Sequence, residues 1–124
     1  MIDSGIWVLQ EYIKMKKLDV GYTELVDKVN STDFGIQPDE MLRVLNIYNK
    51  NINIYEINDN MSIDNIKLPI ISYVNKLGHK YYEYVIICGI DEKNIQVRKP
   101  FELELTTISR EMYIDKISNI MFIE

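Results

Sequence analysis

The chain has 124 residues, 47% of them hydrophobic, and a formal net charge of -5. That length suits one domain, residues 1–124, with a single core. The acidic balance argues against a nucleic-acid surface, because phosphate binding needs concentrated Lys and Arg. No apolar stretch approaches the roughly 20 residues of a membrane span. The opening Met-Ile-Asp-Ser-Gly has no signal-peptide pattern. A lone Cys88 makes no internal disulfide, which points to a reducing, cytoplasmic compartment.

Asp3 or Ser4 can cap a first helix, whose apolar face is Ile6, Leu9, Ile13 and Leu18, widened by Trp7 and Val8. Lys14-Met15-Lys16-Lys17 reads as a solvated helix terminus, where cations complement the dipole. Asp19-Val20-Gly21 breaks that helix. Thr23 is expected to cap a second one, with Leu25, Val26 and Val29 inward. Asn30 to Gly35 is a turn cluster. Gln37-Pro38-Asp39-Glu40 opens a third helix with Met41, Leu42, Val44, Leu45 and Tyr48 as its stripe.

The period then changes. Ile52 to Ile57 reads as a strand, Asn58 to Asn65 as a loop, and Leu68 to Val74 as the next strand. Tyr84-Val-Ile-Ile-Cys-Gly-Ile90 is a nearly unbroken apolar run, as in a strand covered on both faces. Asp91 to Asn94 is a polar turn, and Ile95-Gln96-Val97-Arg98 alternates like a half-buried strand ended by Pro100. Thr107 to Ile117 is expected to be a short amphipathic helix with Ile108, Met112 and Ile117 inward, before a closing strand at Ile120 to Ile123. Helices followed by an antiparallel sheet make an α+β layering.

Several of these segments resemble peptidase family C39, the bacteriocin-processing branch of the papain-like superfamily. There a catalytic His opens a strand of the type His-Tyr-Val-Val-Ile, an Asp-Pro closes the next strand, and the nucleophile sits in Asp-Cys-Gly at the head of the first helix. The matching segments here are Glu83-Tyr84-Val85-Ile86-Ile87, Lys99-Pro100 and Asp3-Ser4-Gly5. Gly35-Ile36-Gln37-Pro38 and Leu68-Pro69-Ile70-Ile71 are similar to two further segments of the family. The resemblance implies a papain-like cysteine-peptidase (C39-like) fold. It also implies a triad degenerate at Ser4, Glu83 and Lys99, three positions expected to meet in space with a Glu83–Lys99 ion pair.

A cysteine peptidase needs a thiolate, a His that sets its protonation and a group that orients the His. Ser4, Glu83 and Lys99 supply none of the three. A Ser in place of Cys is what deliberate inactivation would leave, but Glu83 and Lys99 point to natural degeneration. His79, the only His, reads as a surface-loop residue, and Cys88 as a small buried hydrophobe. One His and one Cys give no metal site, and no cofactor is expected.

Members of the family clip leader peptides at peptide-exporting ABC transporters, and members lacking the Cys are regarded as docking domains. The expected function is therefore non-catalytic peptide binding linked to such a transporter, at the cytoplasmic face of the membrane. The alternatives are a hydrolase with altered catalytic residues, an inactivated peptidase variant, or a partner domain with no groove. Tyr73, Tyr81, Tyr82, Tyr84 and Trp7 are the candidate walls of a peptide groove, though strand tyrosines also serve as ordinary packing.

Overall fold

The computed structural model describes residues 4–17, 20–29, 36–48, 54–57, 68–75, 82–115 and 120–123, with backbone alone at 22, 54–57, 74–75, 82, 114–115 and 120–123. The elements run α1 (Ser4–Met15), α2 (Tyr22–Lys28), α3 (Pro38–Tyr48), β1 (Ile54–Ile57), β2 (Ile70–Asn75), β3 (Tyr82–Ile90), β4 (Asn94–Arg98), β5 (Thr106–Ser109), α4 (Arg110–Asp115) and β6 (Ile120–Ile123). The strands form one antiparallel sheet in the order β1-β6-β2-β3-β4-β5. This is the expected α+β layering. Leu18, the 58–65 loop, His79 and Ile117 lie outside the described residues.

The helices form because their apolar residues recur at helical spacing and find the sheet. In α1, Ile6, Leu9 and Ile13 with Val8 and Tyr12 are buried, and the helix packs on β3 and β2. In α3, Pro38 sits at the first position, where its missing N–H is harmless, and Asp39 and Glu40 face the positive helix end. Met41, Val44 and Leu45 are buried beneath. Each such side chain contributes about 1.5–3 kcal/mol of transfer free energy. The second helix departs from expectation at its start. It begins at Tyr22, so Gly21 and not Thr23 is the N-cap, and no side chain caps it. Leu25 is its buried anchor, whereas Val26 is 41% exposed and not inward as expected.

β3 carries the fold. Tyr84 and Ile86 face the helices with Ile71 and Tyr73 of β2. Ile87 faces the opposite side with Ile70, Ile95, Val97 and Tyr113, and Val85 packs against that group. The unbroken apolar run thus buries both faces, as the period-two geometry of a strand requires. The register shifts between Ile87 and Gly89, where β3 bulges against β4.

One expectation fails. Thr107 does not open a helix, because Thr106 to Ser109 pair with β4, from Val97↔Thr106 to Asn94↔Ser109. Helix α4 begins only at Arg110; Met112 is 52% exposed and not inward, while Ile108 packs on the second core as expected. The junction is held by Arg110, which is buried. Its Nη1 donates to the Asp91 carbonyl at 3.0 Å and its backbone N–H donates to the Lys93 carbonyl at 2.9 Å. Asp91 in turn accepts from the Lys93 and Asn94 amides through one carboxylate oxygen, which holds its pKa below the usual range.

On the face away from α1 and α3, the Ser72 hydroxyl and that of Tyr113 in α4 meet at 2.7 Å in a buried bond. Burial pushes the Tyr113 phenol up to about 12, with the Ser72 bond lowering it and Glu83 raising it by smaller amounts. Tyr113→Phe should cost about 1–3 kcal/mol, because it leaves the Ser72 hydroxyl buried without this partner, and adding Ser72→Ala should recover part of that loss in urea unfolding. The folded-state pKa lies above the unfolded value, so the stabilisation is complete below about 10 and is lost as pH rises through the folded value. Ultraviolet titration of the wild type against Tyr113→Phe should show that Tyr113 stays protonated well above the ordinary tyrosine range.

Candidate functional site

Ser4 is the first residue of α1 and is exposed. One turn on, Trp7 lies on the same side of the helix, and a further turn brings Glu11. Facing them is the end of β4. Ile95 and Val97 bury into the second core, so alternation turns Gln96 and Arg98 toward the helices. The Arg98 guanidinium stands 5.4 Å from the centre of the Trp7 ring, and its Nη1 is 3.1 Å from Glu11 Oε2. Its Nε donates to the Glu102 carbonyl at 3.3 Å. Phe101, just past the strand, sets its ring 5.8 Å from Trp7 at a tilt of 53°. Arg98 therefore fastens α1 to the connection between β4 and β5.

Two of the three positions matched to a triad, Ser4 and Glu83, do not meet as expected. Alternation along β3 puts Glu83 on the side of Val85 and Ile87, away from α1. Its charge acts on Tyr113, which belongs to that same second core. Ser4 stands at the head of α1, on the other side of the sheet. Glu83 and Ser4 are thus not brought together. Lys99 follows β4 directly and is half-buried. The residue that reaches α1 from this end of β4 is Arg98, the neighbour of the motif-matched Lys99.

The tyrosine groove is corrected in part. Tyr73 and Tyr84 are a cross-strand pair, each 3% exposed, with ring centres 5.7 Å apart in the core beneath the helices. The Tyr84 hydroxyl donates to the Ile36 carbonyl at 2.7 Å and so holds the approach to α3. Neither can wall an open groove. Tyr81 and the Tyr82 side chain lie outside the described residues. Trp7 is half-buried and packs against the first core.

The chemistry available here is limited. Ser4 is exposed, so it is not part of a desolvated dyad with Lys99. Cys88 is half-buried and packs on the first core. Burial raises its thiol pKa and Arg98 only partly offsets that, so the thiol is not activated. Among the described residues, no group of His, Cys, Asp and Glu could hold a metal ion. No helix among them is long and apolar enough to cross a membrane.

No family model matches the chain, and no curated protein matches it in sequence. Solved structures do match its fold. The peptidase domain of Streptococcus ComA, a bi-functional ABC transporter of a quorum-sensing pathway, superposes with a TM-score of 0.74 at 16% identity, over 98% of this chain and 90% of that one. A double glycine motif protease from an AMS/PCAT transporter, solved in complex with a leader peptide, gives 0.72 at 14% identity, over 97% and 81%. The peptidase domain of Streptococcus mutans ComA gives 0.55 at 11% identity, over 82% and 88%. The chain has the α+β fold of these peptidase domains of ABC transporters.

Replacing Arg98 with Ala should cost about 1–2 kcal/mol, since it removes a cation from an aromatic face and a charged partner from Glu11. Trp7 is the only tryptophan, so all tryptophan emission comes from the surroundings of this contact. Its maximum should move to longer wavelength and iodide should quench it more strongly in Arg98→Ala than in the wild type.

Proposed function

We propose that this domain binds a leader-like peptide for an ABC transporter and does not cleave it. One observation carries the reading. The side chain that approaches α1 from the end of β4 is Arg98, engaged by Glu11 and Trp7, while the helix head offers only the exposed hydroxyl of Ser4. Arg cannot act as a base at neutral pH, because its guanidinium stays protonated. A hydroxyl without an adjacent base is a poor nucleophile. Glu83 is turned to the other face of the sheet, out of reach of that hydroxyl.

Peptide binding is supported by the fold, because a structure of the same architecture holds a leader peptide. Recognition and cleavage rest on different residues, so a fold can keep one and lose the other. In this reading the domain works beside the transporter at the cytoplasmic face of the membrane, and a peptide destined for export is its partner.

The test is incubation with synthetic leader peptides ending in a double Gly, followed by mass spectrometry and by titration of Trp7 emission. The peptides should stay intact, and Ser4→Cys alone should not make the domain cleave them, since the other members of the triad are still missing. Binding should appear with a micromolar Kd, about -8 kcal/mol, because ordering a flexible peptide offsets part of the contact energy. Cleavage by the wild type that vanishes in Ser4→Ala would establish an altered hydrolase instead.

A further inference from the structure

Outside α1 and β4, the most unusual surface is the connection between β4 and β5. Its sequence, Phe101-Glu102-Leu103-Glu104-Leu105, alternates apolar and acidic residues, and all five are exposed. Phe101 is 54% exposed, Leu103 85% and Leu105 52%. Half of the six large hydrophobic residues exposed among the described ones thus fall within five positions, which is a patch and not scatter. The segment curls around a shallow depression bounded by Glu102 to Thr106.

The patch is held in place. The Glu102 amide donates to the Lys99 carbonyl at 3.2 Å, closing a turn through Pro100 and Phe101. Phe101 has φ of 66°, a left-handed conformation that a non-Gly residue adopts at a cost of about 1 kcal/mol or more. Its ring against Trp7 and the Arg98 bond to the Glu102 carbonyl help to hold that conformation. The Thr106 hydroxyl donates to a Glu102 carboxylate oxygen at 3.4 Å. A surface fixed in this way loses little entropy when a partner lands on it.

The geometry points to this segment as the docking surface for a cationic amphipathic peptide. Leu103 and Leu105, beside Phe101, would receive the apolar residues, and Glu102 and Glu104 would meet flanking Lys or Arg. Charge decides the choice of partner. Two carboxylates interleave the apolar side chains, on a chain whose net charge is already -5, so an acidic peptide would be repelled. The inference rests on the docking function proposed above and assigns it a surface that excludes the buried Tyr73 and Tyr84.

The experiment uses two fluorescently labelled synthetic helices, one of Leu and Lys at helical spacing and one with Glu in place of each Lys. The wild type should bind the Leu/Lys peptide and not its Leu/Glu counterpart. Leu103→Ser with Leu105→Ser should weaken binding about tenfold or more, as loss of buried anchors does. Glu102→Gln with Glu104→Gln should weaken it severalfold and flatten its salt dependence. The control is Glu92→Gln with Glu111→Gln, the same charge change at exposed positions near the other end of β4, and it should bind as the wild type does. All the replaced side chains are exposed, and circular dichroism is the check that each variant folds. Equal weakening by the control pair would reduce the effect to bulk charge and overturn the inference. So would binding that survives the Leu103 and Leu105 changes, or no binding of the Leu/Lys peptide. If double-Gly leader peptides still bind in those cases, the docking function stands and only its surface is wrong. If they do not bind either, both fall.

Discussion

The constraint on which the structure depends is the double burial of β3. A strand with one wet face can slip in register at the expense of one row of side chains. A strand with two dry faces cannot, because any slip drives core residues into the wrong core. Ile86 must meet Ile71 under the helices while Ile87 meets Val97 on the opposite side. Helices α1 and α3 can pack only after that assignment is made, and α4 can pack only on the other face. The sheet order then follows, with β2 and β4 as the neighbours of β3 and the short β1 and β5 at the rims.

The same alternation settles what stands beside Trp7 and Glu11 of α1. A one-residue step along β4 separates a side chain that reaches the helix from one that does not. Arg98 is on the helix side and is held by an aromatic ring, a carboxylate and a carbonyl at once. Such a cation is a structural tie between layers. Its own charge cannot change at physiological pH. The protein therefore keeps the architecture of a peptidase domain with a strut at this end of β4.

Much of this was legible in the sequence, where the signal was local and periodic. The stripes of α1 and α3, the apolar run of β3 and the Pro that stops the hairpin could all be read from spacing. What was not legible depended on which partner an element meets. Thr106 to Ser109 carry β-branched residues that suit a strand, yet the same stretch continued to Ile117 also shows helical spacing, and only pairing with β4 decides between them. The tyrosines misled for a related reason. In a strand buried on both sides, no pattern tells which face an aromatic takes, so Tyr73 and Tyr84 looked like a wall and are core. A motif match fixes the place of Glu83 along β3 but not the side it presents. Arg110 gave no signal, because a buried Arg that bonds to a distant turn carbonyl looks like any helix-start cation.

That arginine has a consequence for how the molecule opens. The turn joining β3 to β4 and the junction joining β5 to α4 belong to different hairpins, and each could fray by itself. Arg110 bonds to carbonyls at two positions of the first turn, from its side chain and from its own amide. Neither end can lift without releasing the other. Amide protons on both should therefore exchange with solvent in a single concerted event, so that one end of the sheet behaves as one opening unit although no covalent link joins its parts.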